Sequence, residues 1–542
     1  MKKIFNIMTL AILFLSIVIL LSACSNSSDL APNDIPPPAY GAPAMEPPPT
    51  KAAESPPIYE SAEIPPPVSK SEQPIPFADE EYLPITENTV NEVNDNPLLT
   101  FSLKVDTASY RNVVRYLESG NLPPADAVRI EEMINYFNYD EPLEKNDSPF
   151  AIYSEIGPSP FDPNKDIAFV RVKSEDIDRS DLPKSNLTFL IDTSGSMNTY
   201  DKLPLLKSSF SLLVETLTED DTVSIVTYAG NAGVVLNSVS GDQKDRILKA
   251  INDLEASGST AGADGINTAY ALAEKNFIAK ANNRVILATD GDFNVGVSSV
   301  KELERLISDK RSSGIYLTIL GFGTENLKDN KMETLAKNGN GNYSYIDSGA
   351  SAKKVLVDEL GSNLYTIADD VKAQIEFNPA LIQSYRLIGY ENRMLADKDF
   401  ADDTKDAGEI GVGTDVVLMF EISRVGSTSL KYQASSDTPR DPGEYADELF
   451  EVKIRYKDPG KSTSKLIVEP VKLDRYLSFN TSDFNFAVSI AAFGHLLKNS
   501  SYKGSITPED IMATVKDSLG KDRGGYRREF ITTLAQYILL AR

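Results

Sequence analysis

Between residues 187 and 366, short apolar runs alternate with amphipathic stretches in near-regular succession, and this rhythm constrains the fold more than any other feature. LTFLID, TVSIVTYAG, RVILATDG, IYLTILGFG and GNYSYID read as strands, with GVVLNSV as a short edge strand. Leu203, Leu206, Phe210, Leu213, Val214 and Leu217 form a helical stripe, as do Ile266, Tyr270, Ala273 and Phe277, and then Leu303, Leu306 and Ile307. Strands that are apolar throughout, rather than on alternate residues, belong to a parallel sheet covered on both faces. The predicted class is therefore α/β, a doubly wound, mainly parallel sheet, with Ala352 to Ile367 as its closing helix.

The flanks follow a different rhythm. Thr107 to Glu118 and Ala125 to Phe137 read as helices, and Phe150 to Ile156 and Ile167 to Val172 as strands. After residue 368 the runs VKAQIEFNP, LIQSYRLIGYE, DVVLMFEISR, LFEVKIRYKD and SKLIVEPV predict an antiparallel, β-sandwich-like region, which the earlier strands could join around the α/β insertion. Phe484 to Asn499, a helix capped by Thr507 with Pro508 at its first position, and Tyr526 to Leu540 form a C-terminal helical region. The expected organisation is a signal at 1–23, a proline-rich stalk at 24–96, an N-terminal flanking region at 97–186, the α/β domain at 187–366, a β-rich region at 367–475 and helices at 476–542.

The first residues, MKKIFNIMTLAILFLSIVILLSAC, have the basic start and long apolar run of a secretory signal. Leu21-Ser22-Ala23-Cys24 looks like a bacterial lipobox, which implies lipidation of Cys24 and a membrane anchor outside the cytoplasm. An uncleaved span over Ile4 to Ala23 is the alternative. Ser25 lacks the aspartate that retains many lipoproteins in an inner membrane, so the outer membrane is expected in a two-membrane cell. Sixteen of the 32 prolines lie between residues 32 and 84, a composition that cannot bury a core and reads as a spacer.

One cysteine and one histidine exclude a disulfide framework and a Cys/His zinc site. A formal charge of −25 repels phosphate backbones, so nucleic acid is not an expected partner.

In a doubly wound sheet the ligand crevice lies outside the carboxyl ends of the strands. Asp192 ends one strand, and a loop hinged at Gly195 can turn Ser194 and Ser196 toward the same point. Thr260, in the glycine-containing SGSTAGADGI, and Asp290, at the end of VILATD, add two further oxygens. Five oxygen donors without nitrogen or sulfur specify a hard cation, Mg²⁺ first and Mn²⁺ or Ca²⁺ behind it. Only Asp192 and Asp290 are anionic, so a bound ion would still attract a carboxylate, and the expected partner is a protein offering Asp or Glu.

DTSGSM resembles the DxSxS element of the metal-ion-dependent adhesion site in von Willebrand factor type A domains, with Thr260 and Asp290 at the other two positions. The resemblance implies direct metal contacts from Ser194 and Ser196, exchangeable contacts from Thr260 and Asp290, and Asp192 holding metal-bound water or the metal itself. FSLKVDTASYRNVVRYL, DAGEIGVGTDVV and FAVSIAAFGHLL are similar to the flanking regions of bacterial YfbK-like lipoproteins, a family without an established activity. The expected function is binding, with a membrane-held scaffold stiffened by metal, or a metal-dependent hydrolase using Asp264 or Asp292 as base, as alternatives. Asp106 is expected to cap a helix, His495 to be a satisfied residue at a core edge, and GNGNYSY to be a turn entering a strand. Asn294, with Asp264 and Asp292, borders the predicted site.

Overall fold

The computed structural model describes Phe77 and residues 79–541, apart from 105, 144–147, 259–261, 292–299, 312, 325 and 427–442. Cys24 and the greater part of the proline-rich stretch lie outside the described residues. Residues 79–96, expected to belong to the stalk, instead pack on the folded part. Glu80 pairs with Arg115, and β1 (Asn91–Glu92) joins a sheet.

The N-terminal elements are β2 (Leu98–Ser102), α1 (Ala108–Glu118), α2 (Ile130–Asn135), β3 (Phe150–Pro158) and β4 (Asp166–Ser174). The expected helix from Ala125 to Phe137 is two pieces, a 3₁₀ turn at Ala125–Ala127 and then α2, because Val128 and Arg129 adopt extended backbone between them. Asp106 does not cap α1. Its carboxylate accepts the Tyr343 amide at 2.9 Å and pairs with Arg393, tying this region to the α/β domain.

That domain contains β5 (Ser185–Asp192), α3 (Leu203–Thr216), β6 (Thr222–Tyr228), β7 (Ala232–Ser240), α4 (Lys244–Asn252), α5 (Gly262–Lys275), β8 (Asn282–Thr289), α6 (Val300–Arg311), β9 (Tyr316–Phe322), α7 (Asp329–Asn338) and β10 (Tyr343–Ile346). The sheet order is β10-β9-β8-β5-β6-β7, parallel except for the edge strand β7. Every residue of β5 is buried because helices cover both faces. Leu187, Phe189 and Ile191 pack with Leu206, Phe210 and Leu213 of α3, while Leu190 faces Ile266 and Tyr270 of α5. Each such side chain contributes about 1.5–3 kcal/mol on burial, which fixes the strand whose end carries Asp192. Phe277 falls beyond α5 and is half-exposed.

The closing element is not one helix. It divides into α8 (Gly349–Lys353), a π-helical turn at Lys354–Asp358 and α9 (Leu360–Leu364), and Ile367 already lies in β11 (Thr366–Phe377). The wide turn lets buried Lys354 reach Glu359 and lie 4.8 and 4.6 Å from the ring centroids of Tyr136 and Tyr526.

β12 (Ile382–Leu387), β13 (Gly408–Gly411), β14 (Asp415–Arg424), β15 (Glu448–Lys457) and β16 (Ser464–Lys472) complete two further sheets. One runs β1-β12-β14-β4-β3; in the other β11 pairs with β13, β15 and β2, and β15 with β16. Strands from both sides of the α/β insertion thus pair with one another, and Phe101, Val170, Ile375, Phe420 and Val452 share the core between the sheets. The outer face of β4 and β14 is covered by α1, α2 and the C-terminal helices α10 (Ser482–Leu497), α11 (Pro508–Asp517) and α12 (Tyr526–Leu540). Thr507 closes a capping box with Asp510 at the start of α11.

Candidate metal centre

β5 and β8 are neighbours, and the helices that follow them go to opposite faces, so the order of the sheet reverses between these two strands. Asp192 is the last residue of β5 and Asp290 follows the last residue of β8. The two carboxylates therefore stand side by side at the mouth of the crevice that this topology opens.

Asp192 is fully buried. Its Oδ1 accepts the Ser194 amide at 2.9 Å, and its Oδ2 accepts the hydroxyls of Tyr228 at 3.0 Å and Thr289 at 3.1 Å. Thr289 in turn accepts the Gly291 amide at 3.0 Å, which locks the exit of β8 to the end of β5. Burial pushes the Asp192 carboxyl up to about 6, against the lowering effect of hydrogen bonding from Ser194 and with an added rise from the Asp290 charge. Among the described residues, no side-chain cation pairs with Asp192. Asp290 does have one, since Lys202 Nζ donates to its Oδ2 at 3.0 Å and Asn326 Nδ2 donates to the same oxygen at 3.1 Å.

Beyond Asp192, Ser194 has extended backbone and a short 3₁₀ turn, Gly195–Asn198, carries Ser196 back toward it. Their Oγ atoms are 3.0 Å apart. This is a hydrogen bond between the two hydroxyls, and because two adjacent ligands of an octahedral ion with ~2.1 Å bonds are also about 3.0 Å apart, both oxygens could turn to one Mg²⁺ without moving apart. The all-oxygen donors and the uncompensated buried carboxylate fit a hard divalent cation on independent grounds.

Thr260 lies outside the described residues, as do Asp292 and Asn294. The chain leading to Thr260 is placed, because Gly195 donates to the Gly258 carbonyl at 3.0 Å and Ser257 to that of Thr193 at 2.8 Å. Asp264 is exposed on α5. The structure thus brings together Asp192, Ser194, Ser196 and Asp290, and adds Tyr228, Thr289, Lys202 and Asn326. Tyr228 ends the strand that pairs with β5, so its place beside Asp192 was available from strand register; Lys202 and Asn326 follow no spacing rule.

His495 differs from expectation. It is buried edge-on to Phe161, yet neither ring nitrogen has a hydrogen-bond partner among the described residues, and Nδ1 is 3.7 Å from a Glu87 oxygen. Burial lowers its proton affinity. A second acidic group, Asp370, Asp406 and Glu409, brings ligand atoms within 4.8 Å of one another. There, however, Lys457 pairs with Asp370 and Arg311 with Asp406, so the protein already supplies cations. GNGNYSY is a turn entering β10, as expected.

The profile of the von Willebrand factor type A domain matches residues 186–358, and one described as von Willebrand factor matches residues 76–169. The profile for the C-terminal region of the uncharacterized protein YfbK matches residues 362–539. The uncharacterized protein YfbK of Escherichia coli (strain K12) is 43% identical over 459 residues, which are 83% of this chain and 80% of that protein. The chain belongs to the YfbK family of von Willebrand factor type A domain proteins. The uncharacterized protein sll0103 of Synechocystis is 30% identical over 310 residues, 56% of this chain and 68% of that one. Human inter-alpha-trypsin inhibitor heavy chain H3 is 27% identical over 179 residues, 31% of this chain and 20% of that one. In this YfbK-family chain, the crevice between β5 and β8 therefore belongs to a von Willebrand factor type A fold, a domain class that commonly mediates protein–protein interaction.

Proposed function

We propose that this chain is an envelope lipoprotein that captures a protein partner through a divalent cation bridging the β5/β8 crevice and an Asp or Glu of the partner. The observation that carries the reading is the pair of serine hydroxyls 3.0 Å apart beside a wholly buried Asp192 that no side-chain cation meets among the described residues. Asp192, Ser194, Ser196, Thr260 and Asp290 would hold the ion, Mg²⁺ first among the candidates. When bound, the ion supplies a Lewis-acidic position for a carboxylate oxygen.

The protein's own residues do the rest. Tyr228, Thr289 and the Ser194 amide orient Asp192 from three sides, so its carboxylate cannot swing away. Tyr200, 88% exposed at the end of the metal loop, with exposed Asn198 and Thr199, gives the rim an aromatic contact for a partner surface.

The test is capture of cross-linked partners from the native membrane. Wild-type protein in Mg²⁺ is expected to retain a defined partner, while EDTA or Asp192→Ala releases it with circular dichroism unchanged. Loss of one charged metal ligand should cost several kcal/mol of binding, far more than a surface ion pair. A partner retained equally in EDTA would favour a scaffold in which metal plays no bridging part. Lipidation of Cys24 is tested separately: globomycin should cause the unprocessed precursor to accumulate, and unaltered processing would remove the lipid anchor from the account.

A further inference from the structure

Lys202 immediately precedes α3, yet its side chain is buried and turns back into the crevice. Nζ donates to Asp290 Oδ2 at 3.0 Å and to Asn326 Oδ1 at 2.8 Å. The aliphatic stem lies across Gly323, where an added β-carbon would fall 2.3 Å from Lys202 Cε and 2.4 Å from Cγ. The backbone at Gly323 has φ +82°, so the end of β9 is shaped to let this lysine through. The neighbouring residue, Asp201, accepts both the amide and the hydroxyl of Thr324 at 3.0 Å. The loop after β9 is therefore fastened to the metal loop at two successive residues, and one fastening ends on an anionic metal-site residue.

We propose that Lys202 is a built-in counter-cation of the metal site: it neutralises Asp290, weakens the hold on a divalent ion and leaves a held ion with charge to spend on an incoming carboxylate. The inference rests on the metal reading above. Without Lys202 the two carboxylates would match the charge of a divalent ion. With it, the group of one lysine, two aspartates and one ion keeps a net positive charge. Repulsion between a monovalent and a divalent cation across ~6 Å of water-like medium already corresponds to roughly tenfold in affinity. A lysine serving only to fasten loops would change stability on removal and leave metal affinity where it was.

Calorimetric titration of the detergent-solubilised full chain with Mg²⁺ alone distinguishes these roles. Lys202→Met should bind about tenfold more tightly than wild type and Lys202→Arg like wild type. Lys202→Gln, which keeps a hydrogen-bond donor for Asp290 but not the charge, should tighten in the same direction and serves if the methionine variant folds poorly. Equal or weaker affinity in both neutral variants overturns the role of Lys202 while leaving the metal site standing. Absence of Mg²⁺ binding in wild type and all variants overturns the metal reading and this inference together.

Discussion

At the scale of single residues, two aspartates of the same crevice are treated differently. Asp192 is buried among hydroxyls and an amide that can share its charge but not cancel it, whereas Asp290 is met by Lys202. The first of these was legible, because a charged residue ending a largely apolar, doubly covered strand has no place to go but the end of the sheet. The second was not, because Lys202 reaches Asp290 through the backbone shape at Gly323, 121 positions further along the chain. A comparable local conflict exists far from the crevice, at Glu131 on α2. Its Oε2 lacks a hydrogen-bond partner among the described residues, and burial, reinforced by the Glu391 charge, pushes the carboxyl up to about 7. A carboxyl with a folded value above its ordinary 4.5 binds its proton more tightly in the native state. The associated stability is present at low pH and is lost as pH rises through about 7. Glu131→Gln should therefore raise the unfolding free energy at pH 8 by up to about 3 kcal/mol and change it little at pH 4.5. Urea unfolding at the two values checks this, and equal effects at both would contradict it.

At the scale of elements, α5 approaches β6 closely at Gly265. A β-carbon at Gly265 would lie 2.8 Å from Tyr228 Cβ and 2.9 Å from its ring, and the Tyr228 hydroxyl is one of the supports of Asp192. Gly265→Ala is expected to destabilise the fold by about 1–3 kcal/mol through overpacking and to weaken Mg²⁺ binding by displacing that hydroxyl. Thermal unfolding and metal titration should show both effects, with Asn267→Ala on the exposed side of the same helix showing neither. Strands β5, β6, β8 and β9 and helix α3 could be read from hydrophobic period because local burial determines them. The closing element could not. Its apolar residues keep helical spacing, but the π-helical turn is set by where Lys354 meets Glu359 and the rings of Tyr136 and Tyr526, two of which come from distant segments. Asp106 departs from its expected capping role for a similar reason. A capping role is a local inference, and its actual partners are Tyr343 and Arg393.

At the scale of the whole molecule, the α/β domain is held between strands that are continuous in space and interrupted in sequence. β4 pairs with β14 along its length, and β2 with β11, so the sheets flanking the insertion close around its two ends. Continuous apolar strands separated by amphipathic helices made the inserted domain legible, while the partners of β2, β3 and β4 were not specified by any local pattern. The same architecture gathers two buried carboxylates, Asp192 and Asp290, at the carboxyl ends of β5 and β8. The central claim is that a divalent cation belongs there, and crystals soaked in Mn²⁺ test it directly by anomalous scattering. The account predicts a peak bonded to Ser194 Oγ and Ser196 Oγ beside Asp192, lost in Asp192→Ala. A crevice without a peak, or Mn²⁺ found instead at Asp370, Asp406 and Glu409, would contradict it.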